Sequence, residues 1–297
     1  MQTGTTGGID PANTPSLSGQ VAIVTGAGTG LGRAYALQLA SQGASVVVNN
    51  RTTHGRSADE VVEAIRAGGG EAIANYESVE EPEAGRRLVA AATARYGRLD
   101  IIISNAAVDR AARFQHLGPD TFDAVMQVNF FSVVRLLQAA WPLLLEAKYG
   151  RVLVSTSTAG LYGNHGQAAY ASSKAALLGL MRTLAIEGRS SGVTVNAIAP
   201  YAVTRLTRPW FPEQYRETFT PEAVARLAGW LVTGRCRLSG TTLIAGAGHA
   251  RLARPMETAT VALGQDPEQV IESLVGMPCE GAPETASGEF EAFMQSL

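Results

Sequence analysis

Short apolar runs alternate with longer helix-forming stretches along most of this chain. The runs are rich in valine and isoleucine and have the length of buried strands; they cover residues 21–25, 43–50, 71–74, 99–103, 151–155, 193–198 and 242–245. The stretches between them predict helices over residues 33–40, 58–67, 83–95, 119–147, 167–187 and 221–232. Apolar strands that alternate with helices indicate a parallel sheet covered on both faces. We therefore predict one doubly wound α/β domain with a seven-stranded parallel sheet over residues 19–250.

The two ends of the chain differ from this pattern. Residues 1–18 are rich in Gly, Thr, Pro and Ser, and they predict a flexible tail without the features of a signal peptide. Residues 251–297 predict a helical extension, in which Asp266 and Pro267 begin one helix. An apolar stripe predicts a second helix, and it consists of Phe290, Phe293, Met294 and Leu297. This extension either packs on its own domain or reaches another subunit, where it would cover a neighbouring site.

Composition excludes several classes of partner. The chain has 297 residues, is 46% hydrophobic and carries a formal net charge of −2. Since it has no block of basic residues, we expect neither nucleic acid nor a membrane as a partner. Cys236 and Cys279 lack a CxxC spacing, which favours a reduced, cytoplasmic location. The four histidines are scattered, so we predict no metal site.

A glycine-rich loop follows the first predicted strand and leads directly into the first predicted helix. Strand, glycine loop and helix in this order form a Rossmann-like phosphate-binding motif, because glycines let the backbone approach a pyrophosphate at the helix N-terminus. The alternative is a tight turn that binds nothing. The predicted cofactor-binding residues of this motif are Gly26, Gly28, Thr29, Gly30, Leu31, Gly32 and Arg33.

The end of the second strand bears on the kind of cofactor. A carboxylate there would bind both ribose hydroxyls and repel a 2′-phosphate. This chain has Asn50 and Arg51 instead, with Arg56 close by and no acidic residue from 43 to 56. Guanidinium groups suit a phosphate, so the sequence favours NADP(H) over NAD(H). Arginines in loops are also often only solvated, and NAD(H) therefore stays open.

Three side chains before and within the predicted helix 167–187 carry candidate acid–base chemistry. Tyr170 and Lys174 are four residues apart and share one helical face. We expect the ammonium of Lys174 to lower the pKa of Tyr170 and so to prepare the phenol for proton transfer. Ser157 precedes them and can hydrogen-bond the same substrate oxygen. A tyrosine and a lysine at this spacing can equally be a solvated pair, and the glycine loop is what favours the catalytic interpretation.

Taken together, these motifs resemble those of the short-chain dehydrogenase/reductase family, over about residues 17–248. The matching motifs are T-G-A-G-T-G-L-G (25–32), S-N-A-A (104–107), Asn129, Ser157, Y-A-S-S-K (170–174) and A-P-Y-A-V-T (199–204). Within the family the likeness is strongest to the (R)-3-hydroxyacyl-CoA dehydrogenase units of peroxisomal multifunctional enzymes and their bacterial relatives. The stretches that carry it are G-L-G-R-A-Y-A-L, A-N-Y-E-S-V-E, Y-G-N-H-G-Q-A-A-Y and L-A-I-E-G-R.

The resemblance implies a role for each catalytic residue. Tyr170 would be the general acid in reduction and the base in oxidation, and Lys174 would also hold the nicotinamide ribose. Ser157 would polarise the carbonyl, and Asn129 would hold a water that connects Lys174 to solvent. The resemblance also implies further cofactor contacts, at Ser78, Val79, Asn105, Ala106, Ala107, Tyr170, Lys174, Pro200, Val203 and Thr204. The chain departs from the family pattern at Ala107, where glycine is usual, at Tyr201, where glycine follows the proline, and at Asn50, where relatives carry an acid.

The substrate pocket is expected beyond the carboxyl ends of the strands, in the loops 107–114, 160–166 and 201–215. The candidate substrate residues are Tyr162, His165, Tyr201 and Trp210. The leading hypothesis is an oxidoreductase acting on a ketone or secondary alcohol, either a 3-oxoacyl thioester or a bulky cyclic, polyketide-like ketone. A redox-neutral rearrangement, epimerisation or dehydration on the same fold is the second, and a non-catalytic dinucleotide sensor is the third. The resemblance further implies a homodimer or homotetramer formed through the helices 119–147 and 167–187.

Overall fold

The computed structural model describes residues 16–51, 57–262 and 266–296, without the side chain of Trp210. Most of the predicted N-terminal tail, together with Arg56 and Leu297, lies outside the described residues. The chain forms two compact units, Met1–Arg251 and Leu252–Leu297.

The first unit is built on a large sheet, whose last strand continues two residues beyond Arg251. Its strands are β1 (Val21–Thr25), β2 (Ser45–Asn49), β3 (Ala72–Asn75), β4 (Ile101–Ser104), β5 (Gly150–Ser155), β6 (Val193–Tyr201), β7 (Thr242–Gly246) and β8 (His249–Ala253). They lie in the order β3-β2-β1-β4-β5-β6-β7-β8, and neighbouring strands from β3 to β7 pair in parallel. β1, β4 and β5 are buried along their whole length, as predicted from their apolar runs, and β5 also buries Arg151.

Helices cover both faces of this sheet. They are α1 (Gly30–Ser41), α2 (Ser57–Ala67), α3 (Ala84–Tyr96), α4 (Pro119–Met126), α5 (Ser132–Glu146), α6 (Thr158–Tyr162), α7 (Ala168–Glu187) and α8 (Pro221–Leu231). Short 3-10 turns lie at Phe114–His116, Arg189–Ser191, Arg208–Trp210 and Glu213–Tyr215. α1, α2 and α8 form one hydrophobic core with the sheet, and α3, α5 and α7 form a second core on the opposite face. The predicted doubly wound α/β fold is confirmed.

The sheet has one strand more than predicted. β8 follows β7 after the two residues Ala247 and Gly248, which both have positive φ, of 50° and 75°. A two-residue connection joins antiparallel strands, because a parallel pair needs a long crossover. β8 is exposed along most of its length. Its sequence, H-A-R-L-A, contains no valine or isoleucine and therefore lacks the pattern by which the other strands are predicted.

The predicted long helix 119–147 is interrupted near Asn129 and continuous at Pro142. α4 ends at Met126, a π-helical turn covers Gln127–Phe131, and α5 runs on through Pro142. By length and composition alone the run Pro119–Glu146 is apolar enough to cross a membrane, with 44% of its most apolar window buried. Its buried side chains pack in the second core, which accounts for the apolar composition.

The second unit contains the two predicted helices and a small sheet. α9 (Pro267–Val275) begins as predicted, with the Asp266 carboxylate accepting a 3.0 Å hydrogen bond from the amide of Glu268. α10 (Ala286–Gln295) carries Phe290, Phe293 and Met294, which are largely exposed. β9 (Met256–Thr258) and β10 (Cys279–Gly281) pair antiparallel. Whether this extension packs on its own domain or reaches another subunit stays a prediction.

Candidate functional site

A cavity of about 470 Å³ opens at the carboxyl ends of β1, β2, β4, β5 and β6. β1 lies between β2 and β4. The strands that follow β1 in sequence are therefore added first on one side of it and then on the other, which makes this the switch point of the sheet. Ligands of open α/β sheets bind at such a switch point, beyond the carboxyl ends of the strands. The cavity therefore lies where the fold places a ligand.

The glycine loop forms one wall of the cavity and packs very closely against itself. Gly26 and Gly30 have φ values of 62° and 55°, a region that L-residues with side chains rarely adopt. A Cβ on Gly32 would lie 2.1 Å from the carbonyl oxygen of Gly26. Asn105 secures the loop from β4, since its backbone N–H donates to Thr25 Oγ1 at 3.0 Å and its Nδ2 to the Thr25 carbonyl at 3.2 Å.

The loop suits an anionic group. α1 begins without a side-chain cap and without an acidic residue in its first turn. Its first backbone N–H groups and the positive end of the helix dipole are therefore free to meet a phosphate. Gly26, Thr29, Gly30 and Leu31 all line the cavity at this point. These residues fit the pyrophosphate of a dinucleotide.

The end of β2 forms the far part of the cavity. Asn50 donates to Ser57 Oγ at 2.8 Å, which ties the end of β2 to α2. The Nη1 of Arg51 lies 3.4 Å from Oε1 of Glu80, and both residues line the cavity. Arg33 is exposed and lies outside the cavity lining.

Ser157, Tyr170 and Lys174 meet at the cavity floor. Ser157 caps α6, where its Oγ accepts from the amide of Ala159 at 3.1 Å, and its hydroxyl also pairs with that of Tyr170. The buried Lys174 donates from Nζ to the carbonyl oxygen of Ser155 at 2.7 Å. Its Nζ is 5.7 Å from the centre of the Tyr170 ring. The sequence thus brings a hydroxyl, a phenol and an ammonium together as predicted.

The electrostatics of this group differ from the prediction. Burial raises the pKa of Tyr170 to about 12, against the lowering effect of the Ser157 hydrogen bond, and the charge of Asp109 raises it further. Burial also lowers the pKa of Lys174 to about 8. The expected lowering of the Tyr170 pKa by Lys174 is therefore wrong for this structure. The Lys174 ammonium is directed at the Ser155 carbonyl, and loss of solvent around the phenol dominates.

Asn129 lies behind the cavity, in the π-helical turn. Its Oδ1 accepts from the backbone N–H of Val108 at 2.8 Å, and its Nδ2 donates to the Val108 carbonyl at 2.9 Å and to Ser173 Oγ at 3.0 Å. The fully buried side chain thus joins this helix to the loop after β4 and to α7. It does not line the cavity, and its predicted role in holding a water stays a prediction.

Most of the predicted cofactor-binding residues line the cavity. They are Gly26, Thr29, Gly30, Leu31, Asn50, Arg51, Val79, Asn105, Ala106, Ala107, Tyr170, Lys174, Pro200 and Thr204. Those that lie outside its lining are Gly28, Gly32, Arg33, Ser78 and Val203. Gly28 and Gly32 act through packing, since a Cβ on Gly28 would lie 2.5 Å from Ser57 Oγ.

Three of the four predicted substrate residues lie outside the cavity lining, and the side chain of the fourth, Trp210, is not among those that the structure describes. Tyr162, at the end of α6, is 74% exposed, and His165 is exposed in the following loop. Tyr201 is 43% exposed, whereas Pro200 and Ala202 on either side of it line the cavity. Alternate residues of a strand point to opposite faces, which directs Tyr201 away from the cavity. Nothing in the cavity lining supports a substrate contact for these three residues.

The sequence analysis missed several residues that line the cavity. Glu77, Glu80, Val128 and Thr156 lie outside every segment predicted for the site, whereas Val108, Asp109, Ala202, Arg205, Leu206 and Thr207 lie in the loops predicted for the substrate pocket without being among the predicted site residues. Asp109 accepts a hydrogen bond from the Gln167 side chain, and its buried Oδ1 has no hydrogen-bond partner among the described residues. Burial raises the pKa of the Asp109 carboxyl. An acidic residue two positions after the 104–107 motif is the available signal for it.

Comparison with known proteins agrees with this geometry. The family model for short chain dehydrogenases matches residues 20–214. A putative short-chain type dehydrogenase/reductase of Mycobacterium tuberculosis is 42% identical over 80% of this chain and 85% of its own length.

Two further proteins extend the likeness. The peroxisomal multifunctional enzyme type 2 of Mus musculus is 42% identical over 77% of this chain, which spans only 32% of that larger protein. A short chain dehydrogenase from Mycobacterium avium has a crystal structure that matches with a TM-score of 0.78 at 32% identity, covering 90% of this chain and 98% of that one. The predicted likeness to the dehydrogenase units of multifunctional enzymes is confirmed.

Proposed function

The chain belongs to the short-chain dehydrogenase family, and from that premise we propose that it transfers a hydride between NADP(H) and a ketone or secondary alcohol. As a member of that family it is an NAD(P)-dependent oxidoreductase. The observation that carries the proposal is the meeting of Ser157, Tyr170 and Lys174 in one cavity with the uncapped start of α1.

The chain's own residues supply the proton chemistry. A bound nicotinamide supplies or accepts the hydride. Tyr170 holds a proton at its phenol oxygen and gives it to the substrate oxygen during reduction, and it takes the proton back during oxidation. Ser157 hydrogen-bonds the same substrate oxygen, and the Lys174 charge stabilises the phenolate that proton transfer leaves. A pKa of about 12 keeps Tyr170 protonated near neutral pH, which favours its role as the acid in reduction.

NADP(H) is the favoured cofactor in this proposal. Arg51 lines the cavity at the end of β2 and can contact a 2′-phosphate, while Asn50 adds no negative charge there. The proposed substrate is a 3-oxoacyl thioester or a bulky cyclic ketone. Arg205 lines the cavity and suits an anionic handle, and Leu206, Ala202 and Val128 supply apolar surface.

The rival hypotheses have less support. A redox-neutral reaction would depend on the departures from the family pattern at Ala107 and Tyr201, and of these two residues only Ala107 lines the cavity. A sensor without turnover has no need of the proton-transfer residues Ser157, Tyr170 and Lys174. Net consumption of cofactor distinguishes the proposed reaction from both alternatives.

We further propose a homodimer or homotetramer and a cytoplasmic location. The predicted helices 119–147 and 167–187 carry exposed apolar side chains. Phe131 is 40% exposed and Ile186 is 45% exposed, and apolar side chains of this kind suit a subunit contact. Cys236 and Cys279 are both free, which suits a reducing compartment.

The decisive experiment is cofactor oxidation by the purified chain, with NADPH and NADH tested against a panel of ketones and 3-oxoacyl thioesters. We expect at least one substrate to be reduced, faster with NADPH. Tyr170→Phe should lose at least about a hundredfold in kcat, because it removes the proton donor, and should still bind cofactor. If cofactor binds but no panel member is turned over, product analysis by mass spectrometry tests the redox-neutral alternative. Equal rates of the variant and the wild type would contradict the role of Tyr170.

The rate of reduction should fall as the pH rises through about 8. Tyr170, with a pKa of about 12, stays protonated in this range, whereas Lys174, with a pKa of about 8, loses its charge. Loss of that charge destabilises the phenolate, so kcat/KM for reduction should be level near pH 7 and fall about tenfold per pH unit above 8. Lys174→Arg is the control, because its guanidinium stays charged and the falling limb should vanish whatever the absolute rate. A wild-type profile that stays level to pH 10 would contradict this assignment.

A further inference from the structure

Arg51, the residue proposed to meet the 2′-phosphate, is opposed by an acidic side chain. Its Nη1 lies 3.4 Å from Oε1 of Glu80, and both side chains remain partly exposed, by 39% and 36%. Both residues line the same end of the cavity, together with Asn50. A carboxylate therefore lies beside the group that would recognise a phosphate.

The protein holds Glu80 in this position from two sides. Glu80 follows Val79 in a turn that is closed by a 3.0 Å bond from the Glu81 amide to the Ser78 carbonyl. The carbonyl oxygen of Glu80 accepts from Nη1 of Arg135 on α5 at 3.1 Å. The end of β2, which precedes Arg51, is also held to the segment after β3. Asn49 donates to Asn75 Oδ1 and to the Glu77 carbonyl, both at 2.9 Å. The contact between Arg51 and Glu80 thus joins the end of β2 to the turn after β3.

The other acid at this end of the cavity is already neutralised. Glu77 lines the cavity, and its Oε2 lies 2.7 Å from Nε of Arg87 on α3. Glu80 has its ion pair with Arg51 instead. A ligand that takes up Arg51 therefore has to compete with Glu80 for the guanidinium.

The two cofactors would meet this pair in opposite ways. A carboxylate accepts hydrogen bonds from a ribose diol and repels a 2′-phosphate, while a guanidinium binds that phosphate. Position 50, where a carboxylate would select NAD(H), carries Asn50. Glu80 supplies a carboxylate to the same end of the cavity from the turn after β3.

We propose that Glu80 is a specificity-determining residue that opposes Arg51 and weakens the discrimination of this chain in favour of NADP(H). The inference rests on the proposed function, because it requires the adenosine end of the cofactor to lie at Asn50 and Arg51. NADP(H) separates Arg51 from Glu80 on binding, whereas NAD(H) leaves their ion pair in place. The chain is therefore able to use both cofactors, with a preference that the charge at position 80 sets.

The test is calorimetric binding of NADP⁺ and NAD⁺ to the full chain, without any turnover. We expect Glu80→Gln to bind NADP⁺ about tenfold more tightly than the wild type, since one repelling charge close to the phosphate is removed. Binding of NAD⁺ should be unchanged or weaker. The gain for NADP⁺ should shrink as salt is added, because the pair is partly exposed and screened. Arg51→Gln should change the ratio of the two Kd values in the opposite direction.

Glu81→Gln is the matched control, since it removes the same charge from the next residue, which is exposed. Its Kd ratio should equal that of the wild type. The Tm of Glu80→Gln should stay close to that of the wild type, because a partly exposed ion pair contributes little to stability.

Each other outcome has a definite meaning. An unchanged Kd ratio in Glu80→Gln, or an equal shift in Glu81→Gln, would overturn the inference and leave the proposed function standing. A wild-type chain that binds neither cofactor would overturn the proposed function, and the inference with it.

Discussion

Lys174→Met should lower the rate of reduction by about a thousandfold or more and at the same time make the protein more stable. The loss of activity follows from the loss of the positive charge that stabilises the phenolate of Tyr170, an electrostatic contribution of about 10² to 10³. Loss of the predicted contact with the nicotinamide ribose adds to it. The gain in stability follows from the burial of Lys174, which is 2% exposed.

The size of the gain can be derived from the pKa of this lysine. Burial lowers it from 10.5 to about 8, which corresponds to roughly 3 kcal/mol against the charged form in the folded state. The methionine removes that cost but also the charge-assisted hydrogen bond to the Ser155 carbonyl, which contributes roughly 2 kcal/mol. The net gain of about 1 kcal/mol should raise Tm by about 2 °C in a chain of this size.

The gain should depend on pH in a definite direction. Below about pH 8 the folded wild type bears the full cost of a buried charge. Between pH 8 and 10.5 the folded state has released this proton while the unfolded state still binds it, so wild-type stability rises with pH. The advantage of Lys174→Met should therefore be largest near pH 7 and disappear above 10.5. Thermal unfolding of both proteins across this range measures it.

Lys148→Met is the control, because Lys148 is an exposed lysine that does not line the cavity. Its substitution should change neither the rate nor the pH dependence of Tm. If Lys174→Met is less stable than the wild type at pH 7, the lysine contributes packing and hydrogen bonding that exceed the cost of its burial.

The sequence predicted those strands whose apolar residues are buried on both faces of the sheet. Both faces of the sheet are covered, so β1, β4 and β5 carry apolar runs by which composition locates them, although β5 also buries Arg151. β8 is largely exposed and has no β-branched residue, and the turn at Ala247 and Gly248 returns it to the sheet edge. That return depends on tertiary pairing, which a local pattern does not contain.

The candidate site divides in the same way. The spacing of Tyr170 and Lys174 fixes their common helical face, and the structure brings both to the cavity. Their charges could not be predicted from spacing, because the pKa of each depends on how deeply the surrounding elements bury it. The aromatic residues predicted to contact the substrate could not be assigned from the sequence for a related reason. Which loop side chains face the cavity is set by local chain direction, as it is for Tyr201 beside Pro200.

The glycine loop should tolerate no side chain at Gly32. A Cβ there would lie 2.1 Å from the Gly26 carbonyl oxygen and 2.7 Å from Nδ2 of Asn105, closer than any non-bonded contact allows. Both neighbours are fixed, since Asn105 also holds the backbone of Thr25. Gly32→Ala must therefore displace the loop or α1, and we expect the free energy of unfolding to fall by about 3 kcal/mol.

The same displacement should abolish cofactor binding, because the loop's backbone forms the predicted pyrophosphate site and a shift of about 1 Å misaligns its N–H groups. Chemical denaturation and calorimetric titration with NADP⁺ measure the two effects. Gly68→Ala is the matched control, since its Cβ would make ordinary contacts at 3.4 Å or more and its φ is not positive; its stability should stay within about 0.5 kcal/mol of the wild type. A Gly32→Ala protein with wild-type stability and wild-type Kd would show that the loop can move without loss. The close packing of Gly26, Gly32 and Asn105 would then have no part in forming the site.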